Sequence, residues 1–110
     1  MIDWDRMNSL RDDVGAEDFD EVVELFLEEV DEIVERLSTT TDKTTLGADL
    51  HSLKGCAAGL GFRAFARLCQ SGEAHCAIGK DDEVDVDAIL QVYADSRRVF
   101  LEELPAALAG

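Results

Sequence analysis

Residues 18–37 read DFDEVVELFLEEVDEIVERL. Phe19, Val22, Val23, Phe26, Leu27, Val30, Ile33, Val34 and Leu37 recur at i, i+3, i+4 and i+7 without a gap. That is the spacing of one apolar face of an α-helix. Glu24, Glu28, Asp31, Glu32 and Glu35 fill much of the opposite side. A helix over about 17–38 would be about 30 Å long.

The same period continues outward in both directions. A short helix over about 3–13 carries few apolar residues, Trp4, Met7 and Leu10, and ends near Gly15. After the long helix, STTTDKTT at 38–45 breaks the period with short hydroxyl and acidic side chains. These compete for backbone hydrogen bonds and suit a loop, with Thr41 or Asp42 as the next N-cap. A third helix over about 43–60 packs Leu46, Leu50, Leu53, Ala57 and Leu60, and Gly61 is placed to close it in a left-handed C-cap. A fourth, about 63–78, packs Phe65, Leu68, Cys69, Gly72 and Cys76 and stops at Gly79. A fifth, about 85–103, packs Val86, Ile89, Leu90, Tyr93, Phe100 and Leu104 after the acidic start DDEVDVD, which suits a helix N-terminus. Pro105 is expected to end or kink it. Four long amphipathic helices with short connections predict an all-α fold: an antiparallel up-down-up-down four-helix bundle, with the short N-terminal helix capping one end.

Composition agrees. With 110 residues, 46% of them apolar and a single proline, one domain over 1–110 is expected, rich in helix rather than turns. No apolar run approaches a membrane span, and the N-terminus lacks the basic-then-apolar order of a signal peptide, so a cytoplasmic location is the default expectation. The ends, MIDWD and AALAG, are read as those of a complete small protein. Against 25 acidic residues stand 10 basic ones, a formal charge of -15. Such a surface repels phosphate backbones, so nucleic acid and anionic membrane are not expected partners. Cys56, Cys69 and Cys76 show no C-x-x-C spacing and are read as reduced thiols in the packing.

One segment carries more than packing. Residues 49–61 read DLHSLKGCAAGLG. On a wheel at about 100° per residue, His51 points well over 90° away from the leucine stripe. Its surface neighbours are Gly47, Ala48, Lys54 and Gly55, with Ala58 and Gly59 one turn further. Each interior glycine costs a helix about 1 kcal/mol relative to alanine. Close helix packing could account for one or two of the three. Clearance is the more economical reading, in which another protein's surface comes down onto the imidazole. A neutral imidazole is a good nucleophile near pH 7. Attack on a phosphoryl group would give a phosphoramidate, whose negative charge Lys54 could sit beside.

HSLKGCAAGLG closely resembles the motif H-x-L-K-G-x-x-x-x-x-G of the histidine-containing phosphotransfer (HPt) domain family, matched at His51, Leu53, Lys54, Gly55 and Gly61. The helix before it looks like the family's long second helix, and LCQSGEA at 68–74 resembles the following one, with Glu73 where an acidic or amide residue is usual. The resemblance implies a bundle whose histidine takes a phosphoryl group from a receiver-domain aspartate and passes it to another. His51 would be the phosphoacceptor and Lys54 its electrostatic partner. Glu73 would orient the imidazole by accepting a hydrogen bond, although an ordinary exposed glutamate stays open. Gly47, Ala48, Gly55, Ala58 and Gly59 would face the partner. The domain would need no cofactor of its own, the receiver bringing Mg2+. The chain has no P-loop or glycine-rich nucleotide lid, so a carrier rather than an ATP-using enzyme is implied. Expected partners are response-regulator receiver domains and a hybrid histidine kinase, met by a monomer. Three departures stand out: Leu50 where alanine is common, Cys56 where serine is common, and Gly72 where leucine is common. The last is expected to loosen packing beneath Glu73.

Two other readings compete. A non-phosphorylated adaptor could keep the docking surface and act by occupancy, though it need not keep a nucleophile. A metal-binding bundle could use His51, His75 and cysteines, but no E-x-x-H pattern is present. Otherwise His75 matches no motif.

Overall fold

The structure, a computed structural model, describes residues 2–39 and 44–109, with residues 105–109 described by their backbone alone. Five α-helices make up the described fold: α1 Trp4–Val14, α2 Ala16–Thr39, α3 Leu46–Leu60, α4 Arg63–Ala77 and α5 Val86–Ala109. A single 3-10 turn, Asp81–Glu83, precedes α5. No strand is present among the described residues, only an isolated bridge between Ile2 and Phe62. The fold is an all-helical bundle.

Local chemistry sets the helix ends. Asp3 accepts the N–H of Arg6 at 3.2 Å and caps α1. Gly15 ends α1 at φ +88°, and α2 starts at once with Glu17 and Asp18 in its first turn, where acids suit the helix dipole. The Thr41 and Asp42 caps expected for α3 lie outside the described residues. Asp85 takes the N–H of Ala88 at 3.0 Å and caps α5.

The α3–α4 turn is the tightest junction. Gly61 sits at φ +74°, its N–H directed to Ala58 O at 3.2 Å, while Phe62 N–H reaches Ala57 O at 2.8 Å. This pair of bonds is a Schellman closure. A Cβ on Gly61 would also lie 2.7 Å from the carbonyl oxygen of Asp3, whose own N–H donates to Gly61 O at 2.7 Å. Position 61 therefore needs glycine twice over: for its left-handed turn and for the N-terminal segment crossing it.

The core follows the apolar stripes. Phe19, Val23, Leu27, Val30, Ile33 and Leu37 of α2 are buried, as are all five stripe residues of α3. Under α1 lies an aromatic cluster. Trp4 stacks on Phe100 at 5.8 Å, Phe100 meets Phe62 edge-on at 5.3 Å, and Phe65 tilts against Tyr93 at 4.9 Å. Phe62, a turn residue outside the helical stripes, is fully buried. Tyr93 also donates its hydroxyl to Asp31 at 2.6 Å, and Arg97 meets the other oxygen of Asp31 at 3.2 Å, pinning α5 to α2.

Helix α5 corrects one expectation, since it neither stops at 103 nor ends at Pro105 but runs on to Ala109. A proline withholds one hydrogen bond from the carbonyl four residues back. That residue, Leu101, is 45% exposed, so water can take its place, and the alanines that follow favour helix.

Gly72 corrects another, because it does not loosen the packing beneath Glu73. It is buried, and a Cβ built on it would stand 2.7 Å from Cδ1 of Leu50. Leu50 is itself fully buried. The large residue on α3 occupies the space that the glycine on α4 leaves, so the two departures at 50 and 72 offset each other in volume. Leu50→Ala is expected to destabilise the protein by about 2–5 kcal/mol, and Gly72→Ala to destabilise it by pressing on Leu50. In the double variant the added methyl enters the vacated space, so the summed cost should not be reached. Denaturant unfolding of all four proteins measures the coupling, and strict additivity would refute the pairing.

Candidate functional site

Helix α3 turns its leucines inward and leaves His51 on the outside, with 68% of the side chain exposed. Close packing of α4 against α3 brings Glu73 beside it. His51 Nδ1 lies 2.7 Å from Glu73 Oε1, and Lys54 Nζ lies 3.1 Å from Glu73 Oε2. One carboxylate thus holds both an imidazole and an ammonium.

Its charge state follows from these contacts. The Lys54 ammonium, and after it the hydrogen bond from His51, hold the Glu73 carboxyl below the usual glutamate value. The stabilisation from this contact is therefore present above the ordinary glutamate range and is lost only as pH falls through the lowered value. An ionised carboxylate can only accept. A neutral His51 must then carry its proton on Nδ1, and Nε2 keeps its lone pair. The arrangement presents an exposed nitrogen nucleophile, with a carboxylate behind the ring and a cation one turn along.

The three helix glycines on this side have three different surroundings. A Cβ on Gly47 would meet Cys76 Cβ at 3.2 Å, and one on Gly59 would meet the ring of Phe26 at 3.2 Å. Both are half-buried and pack closely, against α4 and α2 respectively, and Gly47 also lines the hollow beside His51. Gly55 is exposed with open space where its Cβ would be. Ala48 and Ala58 are exposed as well. The clear ground around His51 is thus made by Ala48, Gly55 and Ala58. On the Ala48 side an open hollow of about 710 Å³ runs from His51 and Ser52 past Glu73 to Cys76 and Asp81.

Below the site is a contact the sequence reading did not single out. Asp49, two residues before His51, is buried and forms an ion pair with Arg36 of α2. Its second oxygen, Oδ2, has no hydrogen-bond partner among the described residues. The signal was available, since Asp49 falls about 60° from the leucine direction on the helical wheel, on the apolar side. An acid there requires a cation from a neighbouring helix.

The remaining polar candidates stand apart from His51. His75 Nδ1 donates to Ser71 O at 2.7 Å and lines a different hollow with Glu83 and Asp85. Among the described residues no three His, Cys, Asp or Glu side chains are grouped to hold a metal ion. Cys56 and Cys69 are free thiols. Burial raises the thiol pKa of Cys56, and pushes that of Cys69 up to about 12. Both thus stay protonated and act as small apolar residues. Cys76 is half-buried against Gly47. No helix among the described residues is long and apolar enough to cross a membrane.

Comparison with curated proteins and with solved structures finds no match. The family model of the Hpt domain does match, over residues 21–110, a span that takes in α3, α4, His51, Lys54 and Glu73. With a matching span this long around a helix-borne, outward histidine, the chain belongs to the Hpt domain family.

Proposed function

We propose that this protein is a phosphocarrier of a bacterial-type phosphorelay, moving a phosphoryl group on His51 between aspartates of receiver domains. Membership of the Hpt family carries a phosphotransfer role in two-component systems, as a carrier rather than an enzyme. The observation that supports this chain's part in it most directly is the Glu73 clamp, which holds Nδ1 and leaves Nε2 exposed.

The chemistry can be followed atom by atom. Nε2 attacks the phosphorus of a receiver's aspartyl phosphate in line. The N–P bond forms as the P–O bond to the aspartate breaks, and the aspartate leaves as a carboxylate. The imidazole gains positive character, which the Glu73 carboxylate stabilises from the Nδ1 side. The Nδ1 proton need not move. Lys54, held on the other oxygen of Glu73, places a cation beside the phosphoryl oxygens. In the reverse step a second aspartate attacks the phosphorus and Nε2 departs. Mg2+ and the acidic pocket belong to the receiver. Gly55, Ala48 and Ala58 give its surface room to approach, while Gly47 and Gly59 serve by letting neighbouring helices close in.

The reading takes residues 1–110 as one cytoplasmic, monomeric domain, with receivers and a hybrid kinase as partners. It takes α2–α5 as alternating up and down, with α1 capping one end. Contact order supports this. Arg36 meets Asp49 while Phe26 meets Gly59, and Gly47 meets Cys76 while His51 meets Glu73. Likewise Gly72 meets Ile89 while Phe65 meets Tyr93. In each pair one chain number rises as the other falls. Trp4 on Phe100 and Ile2 beside Phe62 support a position of α1 over one end.

A phosphorylated receiver should label the wild-type chain, and His51→Gln should abolish the label; labelling that persists in this variant would remove His51 from the role. If wild-type and variant bind receivers equally and neither is ever labelled, the adaptor reading replaces this one. Lys54→Ala should slow transfer about tenfold, equivalent to about 1.4 kcal/mol, with little change in melting temperature, because exposed ion pairs contribute only about 0–1 kcal/mol. An unchanged rate would take Lys54 out of the mechanism. For Glu73, nitrogen NMR of the imidazole at neutral pH should show Nδ1–H predominating in the wild type and a tautomer mixture in Glu73→Ala. Glu73→Gln, which keeps an acceptor, should remain close to wild type in this measurement. Equal spectra for wild type and Glu73→Ala would refute the clamp.

A further inference from the structure

A second feature lies in line with the site. Ala58 follows His51 by seven residues on α3, and Ala66 precedes Glu73 by seven on α4, so both share the face of the site, about 10 Å along the helix axis. There Ala57, Ala58 and Ala66 line a hollow of about 310 Å³ together with Arg6, Arg63 and Arg67. All three arginines are exposed. Arg63 meets Asp3 at 3.4 Å, whereas Arg6 and Arg67 make no ion pair among the described residues. Asp3 is the one acid of the lining, and its carboxylate is already engaged by Arg63 and by the N–H of Arg6. Helix α4 also starts here without a side-chain cap, which adds partial positive charge.

This local sign is opposite to that of the chain. With 25 acidic residues and a formal charge of -15, an internal carboxylate for Arg6 or Arg67 would be easy to supply, yet among the described residues none is paired with either. An interface of about 800 Å² per partner centred on His51 would reach this far.

We propose that the arginine-lined hollow is a second contact for the receiver, taking carboxylate side chains from an acidic segment beside its phosphorylated aspartate. The inference rests on the phosphotransfer reading and says which receivers fit. This acidic chain repels an acidic segment of a partner in most orientations. A positive patch in line with the nucleophile makes one orientation attractive, which raises the rate of productive encounter. Guanidinium groups accept a carboxylate in paired hydrogen bonds, and the alanine floor leaves room for the side chain that brings it.

The test uses the full chain with Arg6→Glu and Arg67→Glu combined. Neither residue loses an ion pair, and a thermal melt checks that the fold is kept. Phosphoramidate, a small donor that needs no docking face, should label His51 in the variant as fast as in the wild type. Transfer from a phosphorylated receiver should fall about tenfold in second-order rate at about 50 mM salt, with the gap narrowing as salt rises. The rate at saturating receiver should stay the same. A wild-type rate at low salt, or an equal loss at every salt concentration, would overturn the proposal. So would a change in oligomeric state by sedimentation with transfer unaffected, which would make the hollow a contact between copies. If no receiver labels the wild type although phosphoramidate does, the phosphotransfer reading fails by itself. Receiver binding by calorimetry then decides the hollow: weaker binding by the variant supports it, and equal affinity overturns it.

Discussion

The contact on which the His51 face depends is the close approach of α3 to α4. Two small residues permit it, Gly47 opposite Cys76 and Gly72 beneath Leu50. A larger side chain at either position would push the helices apart and carry Glu73 away from the imidazole. The Glu73 contacts at 2.7 and 3.1 Å are therefore a consequence of packing that takes place below the surface. Leu50 shows the link most directly, since it is adjacent to His51 in sequence, about 100° round the helix, and is buried in the core. Whatever holds Leu50 also holds the backbone of the nucleophile.

Charge is organised on two scales. Over the whole chain the excess of acid keeps the surface negative, with carboxylates covering the outward side of α2. Along the α3–α4 face the sign changes. Lys54 is tied to Glu73, and Arg6 and Arg67 stand at one end with no ion pair among the described residues, while Asp81 lies toward the other. A face with a graded sign orients a partner more sharply than a uniform one, because rotation exchanges attraction for repulsion. Asp49 and Arg36 belong to neither scale. Their pair crosses from α3 to α2 beneath the site and anchors the helix that carries His51.

Much of this was legible in the chain itself. The stripe of α2 and the leucines of α3 are long periodic patterns, and burial of an apolar face overrides most local detail, so most residues named from period are in the core, with Val22, Phe26 and Val34 partly buried against it. Gly61 was legible as a C-cap because a glycine just past the last periodic residue suits a left-handed turn, whereas the crossing of Asp3 over it was not legible. The roles of Gly47, Gly55 and Gly59 were not separable. A sequence shows that side chains are missing at three positions, and only the neighbouring helices show that two of the gaps are filled. Phe62 was missed because a turn residue has no period to mark it. The expectation that Pro105 would end the helix failed because proline's cost depends on whether water can reach the carbonyl it strands.

By itself, the sequence determined the helical class, the inward stripes, and an outward histidine with a lysine one turn on, because these depend only on spacing along one helix. The tertiary structure decided which atoms meet. Glu73 reaches His51 from 22 residues away, Leu50 fills the space left by Gly72, and arginines from α1 and α4 gather around alanines of α3. Such pairings depend on how far apart two helices settle and how each is rotated about its axis. Those quantities are set by the summed fit of all the side chains between them, and no single stretch of the chain contains that information.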